Sequence, residues 1–217
     1  MRCSYCLFDL DGTLTQSEFG VGRSVRQALA HFGVTDVSDE ELKKYIGPPL
    51  SHSFRYFAGF DERTTQEAIE IYRAVYNTEG YKEAPVYPGI FNALTKLREA
   101  GKRLAVVTSK PENIARSVLD HMKLTPHFDE LFGPDESEAD VGKEELILRA
   151  LAHYRIEDDR EQAVMIGDRK YDILGAKKAG VASIGVVYGY GSREELMQAG
   201  ADHLAATPEE LTEVILG

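Results

Sequence analysis

The chain has 217 residues, 43% of them hydrophobic and 28% charged, enough apolar side chain to build a core and too much for a disordered segment. A formal net charge of −11 speaks against nucleic acid or an anionic membrane as partner, because both demand a basic face. No apolar run approaches the length of a membrane span, and the first strand opens almost at once, so the expectation is a cytoplasmic chain without a secretory leader.

The first predicted element is a short buried strand through Tyr5, Cys6, Leu7 and Phe8 that stops at Asp9 and Asp11 and turns away at Gly12. Residues two apart on an extended backbone point the same way, which places two like charges together at a strand end. A nearby cation or a shared proton would relieve that repulsion. Cys3 and Cys6 have a Cys-x-x-Cys spacing. An odd separation along a strand sends two side chains to opposite faces, so they are expected to be packing residues rather than a redox or zinc pair.

From residue 16 to 84 the pattern is helical only. Ser17 stands where it could cap a helix carrying Val21, Val25, Ala28, Leu29 and Phe32 at helical spacing, with Gly33 as its stop. Short helices follow at Asp39 and across 53–57, and a longer one starts near Thr64 and buries Ile69, Tyr72, Val75 and Tyr76. Between them, Gly47-Pro48-Pro49 makes a stiff turn.

Beyond 85 the pattern alternates. Strands are predicted at 103–108, 128–132, 163–167, 181–187 and 202–204. Helices are predicted from Pro88, Pro111, Lys143, after Asp168, near Glu194 and after Thr207. Such alternation means right-handed βαβ crossovers and an α/β fold with a doubly wound parallel sheet. The expected organisation is an α/β core from 1–15 and 85–217, with 16–84 inserted as a helical bundle.

Polar residues gather at the predicted strand ends: Asp9 and Asp11, then Thr108, Ser109 and Lys110, then Gly167-Asp168 with Asp172 four residues on, and Lys143 at a helix start. Singly, each has an ordinary explanation as a turn, a cap or a solvated lysine. Asp9-Leu10-Asp11-Gly12-Thr13, Val106-Val107-Thr108-Ser109, Lys143 and Ile166-Gly167-Asp168-Arg169-Lys170-Tyr171-Asp172, in that order, resemble the four-motif signature of the haloacid-dehalogenase superfamily. The helical insertion resembles the C1 cap of its phosphoglycolate-phosphatase-like members.

The resemblance implies a Mg²⁺-dependent phosphatase for a small phosphorylated metabolite, working through an aspartyl-phosphate. Asp9 would be the nucleophile and Asp11 the acid and base. Thr108, Ser109 and Lys143 would hold the phosphoryl oxygens. Asp9, the carbonyl of Asp11 and Asp168 would bind the metal, with Asp172 behind them or acting through water. Many relatives carry Pro after the third-motif lysine where this chain has Glu144, which leaves Lys110 as a rival for the phosphate.

The acid at position 11 sets dehalogenases and phosphonoacetaldehyde hydrolases aside. The expected substrate is of the phosphoglycolate-phosphatase type, with nucleoside 5′-monophosphates as the alternative. A binding module that kept only the fold would not need both Asp9 and Asp11. In the cap, Arg55 or His52 would hold a second anionic group, and the rings of Phe54 and Tyr56 serve either a base or the cap's own core. The loop Tyr188-Gly189-Tyr190-Gly191 is expected to be packing, and a monomer or homodimer is expected.

Overall fold

The computed structural model describes residues 3–135 and 141–217. Six parallel strands form one sheet in the order β3-β2-β1-β4-β5-β6: β1 (Tyr5–Phe8), β2 (Arg103–Val107), β3 (Glu130–Phe132), β4 (Ala163–Gly167), β5 (Ala182–Val186) and β6 (His203–Ala205). Strand β1 lies between β2 and β4, in register Phe8 to Val106 on one side and Phe8 to Ile166 on the other. Chain order reverses at β1, and the crevice at such a switch point is where open parallel sheets bind ligands.

Side chains alternate across the sheet as the two-residue period requires. Cys6, Phe8, Leu104, Val106, Val164 and Ile166 pack on one face. They meet α5 (Ile90–Glu99), α6 (Glu112–His121) and α10 (Pro208–Leu216). Leu7, Ala105, Val107 and Met165 face the other way, onto α7 (Lys143–Tyr154) and α8 (Lys170–Ala179). Helix α9 (Arg193–Ala199) closes the β5–β6 edge through Leu196. Both faces are covered, so the strands read as nearly continuous apolar runs.

Between β1 and β2 lie α1 (Glu18–His31), α2 (Asp39–Lys43), α3 (Leu50–Phe57) and α4 (Glu62–Tyr76), which share a core of their own around Val25, Leu29, Phe54, Ile69 and Tyr76. The chain enters and leaves this block side by side. Thr15 and Val86 form an antiparallel bridge, Gln16 N–H donates to Pro85 O at 2.8 Å, and Tyr87 N–H donates to Leu14 O at 3.1 Å.

Local details depart from the sequence reading in three places. Cys3 precedes β1, so strand alternation does not apply to it: both cysteines are buried in the same core and their thiols hydrogen-bond to each other. Ser17 stands at the N-cap of α1 without a side-chain capping bond, whereas Ser38 and Glu41 form a complete capping box on α2. Helix α5 starts at Ile90 rather than Pro88, because Gly89 takes a left-handed conformation (φ 91°) that a helix cannot run through.

Candidate active site

At the carboxyl end of the central strands, β1 delivers Asp9, β2 delivers Thr108, and β4 delivers Asp168, all three buried. Lys143 and Asp172 enter from the first turns of α7 and α8 and are buried too. The carboxylates of Asp9, Asp168 and Asp172 each place an oxygen within 4.8 Å of the other two.

The Lys143 ammonium donates to Asp9 Oδ1 at 2.8 Å and to Val107 O at 3.0 Å, and lies 2.9 Å from Asp172 Oδ1. Asp168 accepts from the Tyr190 backbone N–H at 2.8 Å and from the Thr13 hydroxyl at 3.4 Å. Asp172 accepts from the Arg169 backbone N–H at 3.1 Å. Gly12 is required where it stands: its φ is 84°, and a Cβ there would lie 2.2 Å from Asp168 Oδ2.

Three buried carboxylates around one ammonium leave excess negative charge. Burial, reinforced by Asp172 and Asp11 and opposed by Lys143, pushes the Asp9 carboxyl up to about 7. Burial and then Asp172 and Asp9 push Asp168 well above the usual carboxylate range. Burial works against the Lys143 charge, but Asp172 and Asp9 outweigh it and raise the ammonium above its ordinary value. A cluster of hard oxygens with unmet negative charge and no nitrogen or sulfur ligand suits a divalent cation of the Mg²⁺ type. The Asp11 carboxylate stands apart from this cluster. Lys110 Nζ lies 2.7 Å from its Oδ2 and 3.0 Å from its Oδ1.

The cleft above these groups is lined by Asp9, Asp11, Thr108, Ser109 and Lys110 from the core. From the helical block it takes the 46–51 turn and, from α4, Ile69, Tyr72, Arg73, Tyr76 and Asn77. Lys143 joins the carboxylate cluster, whereas Lys110 lies against Asp11. His52 and Arg55 do not line the cleft. They sit on the exposed face of α3, whose buried face is Ser53 and Phe54, so the stiff turn reaches the site but the helix after it carries both residues away. Phe54 is fully buried in the core of the helical block, and Tyr56 is 75% exposed, stacked on His52 at 5.4 Å.

Tyr190, expected only to pack, and Arg169, quoted only within the fourth motif, both carry ties to the site. The Tyr190 hydroxyl accepts from Glu18 N–H at 3.0 Å and also bonds the Glu18 carboxylate, joining an Asp168 contact to the start of α1. Arg169 donates to Ile46 O at 2.7 Å and to Glu195 at 3.0 Å, tying the 46–51 turn to the core. In the sequence Arg169 stands only beside Asp168, and Tyr190 only as a ring in a glycine-containing loop.

A family model for haloacid dehalogenase-like hydrolases matches residues 6–186. The chain belongs to the haloacid dehalogenase-like hydrolase family. It is 40% identical over 215 residues to a 5′-nucleotidase of Pseudomonas aeruginosa, covering 99% of this chain and 96% of that protein. It is 30% identical over 217 residues to a phosphoglycolate phosphatase of Vibrio vulnificus, covering 96% and 94%. The crystal structure of a predicted phosphatase from Clostridium acetobutylicum superposes with a TM-score of 0.94 at 41% identity, covering 99% of this chain and 98% of that one. Family and relatives support phosphatase activity in this haloacid dehalogenase-like hydrolase. No helix among its described residues is long and apolar enough to cross a membrane.

Proposed function

We propose that the chain hydrolyses a nucleoside 5′-monophosphate, with Mg²⁺ held by Asp9 and Asp168, the Asp11 carbonyl as the resemblance implies, and Asp172 alongside. Bound there, the cation would offset the repulsion between a carboxylate nucleophile and a phosphate dianion. An Asp9 oxygen attacks phosphorus, the bond to the ester oxygen breaks, and Asp11 gives that oxygen a proton. Asp11 then takes a proton from the water that attacks the aspartyl-phosphate, releasing phosphate and restoring the Asp9 carboxylate. Lys143, Thr108 and the Ser109 N–H steady the phosphoryl oxygens as charge spreads over them.

The observation that carries the substrate class is the cleft wall. Tyr45, Ile69, Tyr72 and Tyr76 give it apolar and aromatic surface, and Arg73 and Asn77 give it polar groups. Such a wall matches a nucleoside, with its flat base and hydroxyl-rich sugar, better than a two-carbon acid. The 40% identity to the Pseudomonas 5′-nucleotidase agrees.

The test is phosphate release with Mg²⁺ from nucleoside monophosphates, phosphoglycolate and an aryl phosphate, with Asp9→Asn alongside. Nucleoside monophosphates are expected to give the highest kcat/KM, and Asp9→Asn to give none on any ester. Preference for phosphoglycolate would overturn the substrate class, and turnover by Asp9→Asn would overturn the nucleophile.

A further inference from the structure

The Lys110 side chain is 7% exposed and that of Asp11 15%. The Lys110 ammonium reaches both Asp11 oxygens, at 2.7 and 3.0 Å, and donates to the Tyr76 hydroxyl at 2.6 Å. It also lies 4.4 Å from the centre of the Tyr76 ring. Tyr76 belongs to α4 of the helical block, whereas Lys110 follows β2 in the core. One ammonium thus joins the carboxylate beside the nucleophile to a cap helix that walls the cleft.

A side chain held at both oxygens by a buried cation is restricted in rotation, and the second bond of that cation fixes the cation itself. We infer that Lys110 is a positioning residue. With Tyr76 it sets the rotamer of Asp11, so that proton transfer is available only while α4 lies over the core. The inference rests on the proposed acid–base role of Asp11. It assigns Lys110 to neither phosphate nor metal, and it makes a tyrosine of the cap part of the reaction geometry. Misplacing an acid by a fraction of an ångström forfeits proton transfer without touching the nucleophile or the phosphate donors.

The experiment follows the first step alone, as single-turnover release of the alcohol by the intact Mg²⁺-loaded protein. Two esters are compared: p-nitrophenyl phosphate, whose leaving group departs without a proton, and an alkyl monophosphate, whose alkoxide needs one. Asp11→Asn sets the scale, with a loss on the alkyl ester expected to exceed that on the aryl ester by on the order of 10².

Lys110→Met is expected to lose at least about tenfold more on the alkyl ester than on the aryl ester. Inhibition by inorganic phosphate is expected to stay unchanged. Tyr76→Phe keeps the ring and loses the hydroxyl, and it should shift the ratio in the same sense by less. Lys110→Arg, which can still bridge a carboxylate, should recover most of the ratio.

Equal losses on both esters in Lys110→Met, or weakened phosphate inhibition, would overturn the inference in favour of a general structural or a phosphate-binding lysine. If Asp11→Asn itself fails to separate the two esters, the acid–base reading of Asp11 falls and this inference with it. If Asp11→Asn separates them and Lys110→Met does not, the positioning role alone falls. Should Lys110→Met not fold, the ratios of Tyr76→Phe and Lys110→Arg decide the matter on the same criteria.

Discussion

Lys143 Nζ stands 2.8 Å from Asp9 Oδ1 and 2.9 Å from Asp172 Oδ1, so one buried cation spans the proposed nucleophile and an acid from the next crossover helix. Lys143 and Asp9 are 134 residues apart in the chain and meet where the first turn of α7 packs beside α8, above the end of β1.

Removing that cation should cost activity before it costs the fold. Lys143→Met is expected to lower kcat on any ester by on the order of 10²–10³, the scale of losing one preorganised donor. Steady-state kinetics on an aryl phosphate, with the thermal midpoint measured in parallel, checks it. A kcat within a few-fold of wild type would remove Lys143 from the site.

The raised carboxyl of Asp9 fixes the sign of a pH effect. Its value of about 7 lies above the ordinary 3.8, so between those limits the folded protein binds more protons than the unfolded chain. Stability contributed through Asp9 is therefore present below about pH 4 and lost as pH rises through about 7. In EDTA, the thermal midpoint of wild type should fall relative to that of Asp9→Asn as pH rises from 5 to 7.5. Added Mg²⁺ should recover most at the upper end. Parallel curves for the two proteins would contradict this.

Gly12→Ala forces a side chain into a left-handed backbone and against Asp168. The expected cost is roughly 1–3 kcal/mol from the backbone conformation alone. The collision moves a proposed metal ligand, so the Mg²⁺ concentration for half-maximal activity should rise as well. Chemical denaturation and a Mg²⁺ titration read the two effects separately.

Arg169→Ala frees the 46–51 turn by deleting its bond to Ile46 O. Hydrogen bonds to charged groups contribute about 1.5–3 kcal/mol, so KM for the physiological ester should rise roughly ten- to a hundredfold with a smaller change in kcat. Limited proteolysis should also cut more readily within the turn. An unchanged KM would mean that the tie does not shape the bound state.

His52→Ala and Arg55→Ala should leave kcat and KM within about twofold, as exposed substitutions away from a site do. Kinetics on the preferred ester and on phosphoglycolate check both. A selective rise in KM for phosphoglycolate would return these residues to substrate binding.

How far the site could be read from the sequence depended on where its residues lie. Asp9, Asp11, Thr108 and Asp168 stand directly after apolar strands, and a parallel sheet must bring those ends to one rim. Lys143 and Lys110 were not separable that way, because each opens or precedes a helix and either side chain is long enough to reach. Only the packing of α7 against α8 sends Lys143 to Asp9. The cap's share was harder still. Arg73, Tyr76 and Asn77 follow the same helical spacing as core residues, and nothing in one sequence marks which edge of α4 will face the cleft. The stiff turn at Gly47-Pro48-Pro49 was legible as a part that reaches the site, but the rotation of α3 behind it was not. Cys3 lies ahead of β1, where the two-residue alternation of a strand sets no face.

The bridge between Thr15 and Val86 has a consequence for how such a chain can change over generations. The helical block departs and returns through two segments hydrogen-bonded to each other, its ends spaced by about one strand separation, ~4.8 Å. An insert whose termini meet that spacing would join the core at a point outside the strands that carry Asp9 and Asp168. The paired segments give the block one two-stranded connection to the core rather than two separate tethers. Under the proposed function, reaction and substrate choice would then lie on separate parts, joined by one short ribbon.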